Sequence, residues 1–275
     1  MSKKKFLAGW LSVTALLLVG ALLAPSPGGK EDIRTAMRDA VLHGENHISL
    51  FGVKEVNPAF ISAMVVAGVL LLAAVLIRLL VIPRFSLVPG RFQLLLETVV
   101  STFDGLARGN SPHRNGFLGA YVFSAGVYIF VGTLFELFGF QAVATNGSSI
   151  ALPAPLSDVN AAISLGVLSY LVILSGGIAG NGLRGIGMTL KEFSLPLSMS
   201  FRLFGALLSG LLVTELVYHY LSLSFVLPVL VGVMFTLLHA LIQAYVLTML
   251  TSLFYGEMAE PAPKAPKKAA KPQNV

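Results

Sequence analysis

The first candidate for chemistry is a charged residue inside a long apolar stretch. Arg202 lies in the segment SLPLSMSFRLFGALLSGLL, about 10 Å into a run that is long enough to cross a membrane. A guanidinium keeps its charge at physiological pH and costs about 3 kcal/mol to place inside a bilayer. Arg202 is therefore either a functional cation within the membrane or an arginine whose side chain reaches back to the interface.

Small side chains surround Arg202 on its own helical face. Ser198, Ala206 and Ser209 lie at positions i−4, i+4 and i+7, and Gly205 flanks this stripe. Small residues at this spacing let a second helix come close. The face suits a partner that presents a carboxylate and moves past a fixed cation, and static helix packing is the alternative.

A second set of polar groups could line a path for an ion. Thr236, His239 and Gln243 form one polar stripe at i, i+3 and i+7 in the last apolar segment. Imidazoles, carboxylates and amides in a bundle interior can line a wet ion path. The other candidates are Glu136, Asp158, Asn160 and Glu215. The structural alternatives are helix N-capping for Asp158 and an interhelical hydrogen bond for His239.

The composition is typical of a membrane protein. The chain has 275 residues, of which 55% are hydrophobic and 12% charged, and its mean hydropathy is +0.81. The net charge of +6 is concentrated in short stretches between apolar runs and in the tail, which indicates the positive-inside rule rather than nucleic-acid binding. The absence of cysteine excludes disulfides, thiolate metal sites and cysteine nucleophiles. We predict neither a metal nor a cofactor.

The apolar runs predict an all-α, polytopic fold with about five to six membrane helices, of which the last two are long and tilted. Residues 1–28 resemble a secretory signal peptide, and an uncleaved first anchor is the alternative. Residues 29–258 are predicted to form the membrane domain. Residues 259–275 are predicted to form a disordered, basic, cytoplasmic tail. The predicted spans are residues 60–82, 117–140, 161–178, 195–223 and 226–255.

The segments between the spans predict the topology. Residues 92–106 are amphipathic and too polar to span, so we expect a helix at the membrane interface. Residues 179–192 form a glycine-rich stretch with Arg184 and Lys191, which we interpret as a loop on the cytoplasmic side. Residues 141–160 contain neither lysine nor arginine, as expected of an external loop.

Four segments resemble a known family when they are taken in order. Residues 191–205, KEFSLPLSMSFRLFG, resemble the segment around the essential arginine in subunit a of bacterial F-type ATP synthases. Residues 241–255, with Gln243 followed by Ala-Tyr, resemble the last helix of that family. Residues 86–104 resemble its amphipathic cytoplasmic helix, and PLSDVN at residues 155–160 resembles its external motif.

The resemblance implies a stationary subunit whose helices lie against a rotating ring of c subunits. Two offset half-channels would carry protons or Na+ to and from the ring carboxylates, and Arg202 would prevent a short circuit between them. The implied partners are the c-subunit ring, the b subunits of the peripheral stalk, the F1 sector indirectly and the lipid bilayer, with no nucleic acid. ATP chemistry would belong to other subunits. The implied location is a bacterial inner membrane, with the C-terminus cytoplasmic.

Three positions depart from the family pattern. The family usually has asparagine four residues after the arginine, where this chain has Ala206. It often has an acidic residue or histidine nine residues after the arginine, where this chain has Leu211, and histidine or glutamate at the position of Thr236. A familiar polar pair is therefore missing, which makes Glu136 and Asp158 stronger candidates for the outer half-channel, with Glu215 and His239 as possible substitutes.

Two rival interpretations belong to other classes. A stand-alone secondary transporter or channel would show inverted repeats or broken helices at the midplane, and the sequence shows neither clearly. A scaffold with polar residues that only hold helices together would tolerate lysine or glutamine at position 202.

Overall fold

The computed structural model describes residues 48–50, 53–113, 115–143, 147, 149–219 and 227–261, and residues 9, 12, 13, 15, 16 and 19. Most of the predicted signal-like segment 1–28 and of the tail 259–275 lies outside these residues. The described α-helices are α1 (Pro58–Leu76), α2 (Arg91–Asn110), α3 (Leu118–Phe135), α4 (Val159–Asn181), α5 (Leu183–Lys191), α6 (Ser194–His219) and α7 (Leu227–Ala259).

Two short antiparallel hairpins complete the described elements. Strand β1 (Ile48–Leu50) pairs with β2 (Val53–Val56), and β3 (Gln141–Val143) pairs with β4 (Ser149–Ala151). Within the described part of the chain, four helices are long and apolar enough to cross a membrane, namely Pro58–Arg84, Leu118–Phe138, Val159–Asn181 and Gly232–Ala259. The all-α polytopic fold class is confirmed. Helix α6 has 26 residues, about 39 Å in length, and its membrane crossing stays a prediction.

The helical path continues beyond the end of α1 with a different geometry. A π-helical turn covers Ile77–Val81 and a 3-10 turn covers Ile82–Arg84. Pro83 has no backbone N–H to donate, so the regular α-helical ladder cannot continue through it. The helix therefore leaves the apolar stretch through a widened and then a tightened turn, and Arg84 lies at its end.

The expected glycine-rich loop at residues 179–192 was wrong in its main part, because residues 183–191 form α5. Gly182 separates α5 from α4 with a φ of +60°, a conformation that glycine adopts without strain. Gly185 then lies directly on the backbone of Gly177. The Tyr170 hydroxyl donates a hydrogen bond to the Thr189 carbonyl over 2.9 Å. The glycines allow two helices to touch here, which the composition alone does not reveal.

The core forms where α3, α4, α6 and α7 meet. Its fully buried side chains include Leu118, Ile129, Ile173 and Leu203. Helix α1 stays largely outside this core, since only 6% of its most apolar 18-residue stretch is buried. Its exposed side chains suit contact with lipid.

Helix α2 has the amphipathic character expected of residues 92–106 and is longer than expected at both ends. Its C-terminal half packs Ala107 into the core, with Phe103 and Leu106 partly buried beside it. Phe92 and Leu95 in its N-terminal half are exposed. The helix is thus anchored at one end, and its position at a membrane interface stays a prediction.

Candidate functional site

Helix α6 presents two different faces. Met199, Leu203 and Leu207 are buried at i, i+4 and i+8 and belong to the core with α4 and α7. The other side, called the open face below, consists of four exposed residues, Ser198, Arg202, Gly205 and Ser209. Ala206 lies half-buried next to it.

The open face is not covered by any described part of the chain. A Cβ atom built on Gly205 would meet nothing within 4 Å. Among the described residues, no side chain forms an ion pair or hydrogen bond with the Arg202 guanidinium. Arg202 is therefore exposed and carries no ion pair with the described acidic candidates Glu136 and Asp158.

A small polar pocket lies between three helices. Its lining combines the end of α3 with one turn each of α6 and α7, and consists of Thr133, Glu136, Leu207, Gly210, Phe235, Thr236 and His239. The cavity measures about 10 Å³, which is room for about one water molecule. Three of the sequence candidates, Glu136, Thr236 and His239, are thus brought together.

The local structure explains how each group reaches the polar pocket. Glu136 begins the 3-10 turn Glu136–Phe138, which follows α3 and contacts α7. The His239 ring lies against the Phe235 ring, with centroids 5.8 Å apart. A Cβ on Gly210 would lie 3.8 Å from His239 Nδ1, so the absence of a side chain there leaves space beside the imidazole. Thr133 is buried and donates its hydroxyl hydrogen to the Ile129 carbonyl over 2.7 Å.

The chemistry of the polar pocket is proton exchange or ion coordination. An imidazole and a carboxylate are side chains that commonly transfer protons in proteins, and a single water can bridge groups that do not touch. The Glu136 carboxylate forms no hydrogen bond with another described residue. Glu136 and His239 line one pocket, and neither side chain forms a hydrogen bond with another described residue.

Gln243 lies one turn further along α7 and is buried. Only 6% of its surface is exposed, and its Oε1 atom has no hydrogen-bond partner among the described residues. An unsatisfied buried carbonyl costs about 1–3 kcal/mol. A water or an ion can satisfy such an oxygen atom. Gln243 follows His239 by one turn, and it extends the polar stripe from the pocket into the bundle.

Asp158 acts as a helix cap. Its Oδ1 atom accepts hydrogen bonds from the backbone N–H groups of Asn160 and Ala161 at 2.8 and 3.1 Å, which caps α4. Its Oδ2 atom accepts a 2.6 Å hydrogen bond from Asn57 Nδ2. Asn57 in turn caps α1 by accepting from Ala59 N. The capping alternative for Asp158 is thus present in the structure.

The two other sequence candidates, Asn160 and Glu215, are not among the described residues that line the polar pocket. Asn160 is exposed in the first turn of α4. The Glu215 backbone is helical, five residues beyond Gly210 in α6, or about 7.5 Å along the helix. The Glu215 side chain lies outside the described part of the structure.

Sequence reasoning missed two residues of the candidate site, Asn57 beside Asp158 and Thr133 in the polar pocket. Asn57 precedes Pro58, and asparagine followed by proline is a recognisable helix start. Thr133 precedes Glu136 by three residues, so the two share a helical face. Both signals were present, but only the tertiary structure shows that these side chains meet groups from distant segments.

These features define a class of protein, a polytopic helical membrane protein with a polar pocket in its bundle and an arginine that has no ion-pair partner among the described residues. The family model described as ATP synthase A chain matches residues 61–256. The chain belongs to this family, and the resemblance predicted from the four segments is confirmed. It is also similar to the protein named ATP synthase subunit a, chloroplastic, from Bigelowiella natans. The two are 31% identical over 191 residues, which is 62% of this chain and 73% of the relative.

Proposed function

We propose that this chain is the stationary subunit of a rotary ATP synthase that carries protons or Na+ to and from a ring of c subunits. The observation that carries the proposal is the position of Arg202 on the open face of α6. A permanent cation in a membrane helix needs an anionic or polar partner, and none of the described residues supplies one. A partner chain with a carboxylate at this depth would complete the ion pair.

The shape of the open face supports a partner that moves. Ser198, Gly205 and Ser209 have small or absent side chains, so a passing helix can come close to α6 along this stripe, which the exposed Leu197 and Phe201 border on one side. The guanidinium favours the ionised form of a carboxyl group that comes close to it. A ring carboxylate would therefore release its ion before it passes Arg202, and the two half-channels stay separate.

The polar pocket is proposed as part of the half-channel that opens to the outside. Glu136, Thr236 and His239 line it, and Gln243 continues the stripe toward the level of Arg202. Asp158 and Asn160 stand at the start of α4, where Asp158 holds the helix ends around the channel mouth. Glu215 is proposed to lie on the same route. Glu136, Glu215 and His239 would replace the polar pair that is missing at Leu211 and Thr236.

The surroundings follow from the same proposal. Five spanning helices, among them α6, would form the membrane domain of residues 29–258, with α2 at the cytoplasmic interface. The b subunits of the peripheral stalk and, indirectly, the F1 sector would be partners, and ATP chemistry would take place on other subunits. The signal-like N-terminal segment and the family resemblance support a bacterial inner membrane, and basic residues beside the spans support a cytoplasmic C-terminus. Family membership argues against the stand-alone transporter.

ATP-driven ion pumping in inverted membrane vesicles tests the proposal. Arg202→Ala is expected to abolish pumping while the c ring still copurifies with the complex. The matched control is Arg108→Ala, which removes an exposed arginine paired with Asp104 on α2 and should pump at the wild-type rate. Wild-type pumping by Arg202→Ala would mean that Arg202 only reaches the interface, and the transporter and scaffold interpretations would return.

A further inference from the structure

A second groove lies where α1 ends and α2 begins, and the proposed ion path does not use it. It measures about 400 Å³ and is open on one side. This volume falls within the range of about 300–1,000 Å³ that is typical of small-molecule sites. Its lining combines two arginines with apolar and small residues, and includes Arg84, Arg91, Leu80, Phe85, Ser86 and Phe92.

The groove has a defined wall because its loop is folded by hydrogen bonds. Gln93 Nε2 donates to the Ser86 carbonyl over 3.0 Å, and the Ser86 backbone N–H donates to Gln93 Oε1 over 3.2 Å. Gln93 Nε2 also donates to Glu97 Oε1 over 2.7 Å. This clamp fixes the segment between the two helices and holds Glu97, which does not line the groove, to Gln93, which does.

The charge of the groove is not balanced within the described chain. Arg84 and Arg91 are exposed, and neither forms an ion pair with any described residue. Both arginines line the same groove. Two guanidinium forks at one site match the geometry of a phosphate group.

The apolar part of the lining continues onto a surface that suits lipid. Leu80 and Phe92 line the groove and are 52% and 55% exposed, and Leu79 beside them is 65% exposed. Helix α1 leads from there along its exposed apolar stretch, which is long enough to span the membrane. A ligand that fits has an anionic head next to apolar chains.

We propose that this groove binds an anionic phospholipid, with Arg84 and Arg91 on the headgroup phosphate and the acyl chains along α1. The lipid belongs to the leaflet on the predicted cytoplasmic side, where arginines flank the spans and anionic lipids attract basic residues. Charge complementarity and continuity with the exposed α1 surface select a lipid over a protein segment.

Photolabelling of the intact complex tests this proposal. The complex is reconstituted in phosphatidylcholine nanodiscs that contain a small fraction of phosphatidylglycerol with a photoactivatable acyl chain, and labelled sites are located by mass spectrometry of chymotryptic peptides. Labelling of residues 79–93 is expected in the wild type. Each arginine near an anionic membrane surface contributes about fivefold in affinity. Arg84→Gln with Arg91→Gln should therefore weaken labelling by about 25-fold.

Matched controls separate headgroup recognition from other contacts. Arg184→Gln removes an exposed arginine outside the groove, on the side that is also predicted to be cytoplasmic, and should leave labelling unchanged. A photoactivatable phosphatidylcholine, whose choline cation offsets the charge of its phosphate, should lose less labelling in the double variant than phosphatidylglycerol does. If the double variant does not assemble, Arg91→Gln alone should show a loss of about fivefold.

Three results would overturn the proposal. Equal labelling of the wild type and the double variant by phosphatidylglycerol would mean a purely apolar contact. Loss of labelling when inorganic phosphate is added before photoactivation would mean that the groove is a site for a soluble anion. Absence of labelling at residues 79–93 in the wild-type complex would mean that a partner subunit covers the groove.

Discussion

Glycine residues let helices touch at one place in this bundle and leave open space at another. At the closed junction (Gly176, Gly180 and Gly256), α4 and α2 lie directly against the C-terminal half of α7. A Cβ on Gly176 would come within 2.6 Å of the Tyr255 ring, and one on Gly256 would collide with the Asn110 carbonyl. On the open face of α6, a Cβ atom built on Gly205 would meet nothing within 4 Å.

Hydrogen bonds strengthen the contrast. At the closed junction, Asn181 Nδ2 donates to the carbonyls of Met258 and Glu260 at 3.1 and 2.8 Å, and Ser252 Oγ donates to the Leu106 carbonyl at 3.1 Å. The two Asn181 bonds satisfy carbonyls at the C-terminal end of α7, which a helix end otherwise leaves free. Arg202 on the open face has no such partner within the described chain. One region is therefore built as a fixed anchor, and the other is available to a partner.

The largest effect is expected from a substitution that disrupts the closed junction. Gly256→Ala places a methyl group against the Asn110 backbone, which cannot rotate away as a side chain could. Overpacking of this kind typically costs about 1–3 kcal/mol, so the free energy of unfolding should fall and less subunit should copurify with the complex. Denaturant titration in detergent and the yield of assembled complex measure this.

The matched variant for that experiment is Gly205→Ala on the open face. Because the added methyl group meets nothing, stability should stay the same or rise by up to about 1 kcal/mol from the higher helix propensity of alanine. If both variants lose the same stability, the two regions do not differ in packing, and the comparison fails.

A smaller effect is expected from the polar pocket. Glu136→Gln keeps the size of the side chain and removes its ability to carry a proton, so ATP-driven pumping should fall by about tenfold or more, since positioned proton-transfer groups contribute about 10²–10⁴ in rate. The control is Glu97→Gln, an exposed carboxylate on α2. Unchanged pumping in Glu136→Gln with an assembled complex would remove Glu136 from the ion path.

The smallest effect is expected at the cap of α4. Asp158→Ala removes the acceptor for two backbone N–H groups and should lower the free energy of unfolding by about 1 kcal/mol. Asp158→Asn keeps an oxygen acceptor and should lose less. Calorimetry of the purified complex compares them. A normally stable Asp158→Asn variant that cannot pump would place Asp158 in the ion path rather than in a purely capping role.

The sequence predicted most of the membrane architecture because long apolar runs are a simple signal. The runs at residues 60–82, 117–140 and 161–178 coincide with helices, and residues 92–106 are helical as their amphipathic pattern indicated. The prediction of a loop at residues 179–192 was wrong, because glycine was interpreted as a helix breaker. In α5 the absence of a side chain at Gly185 instead lets the helix lie on Gly177.

The sequence by itself determined the class of protein, the family and the identity of the candidate residues, since composition, hydropathy and local motifs depend only on neighbours along the chain. Only the tertiary structure decided that Glu136 and His239 share one pocket while Asp158 binds Asn57, a hydrogen bond between residues 101 positions apart. It also decided that Arg202 faces away from the core. Contacts between distant segments follow from the way whole helices pack, and no local pattern encodes which faces meet.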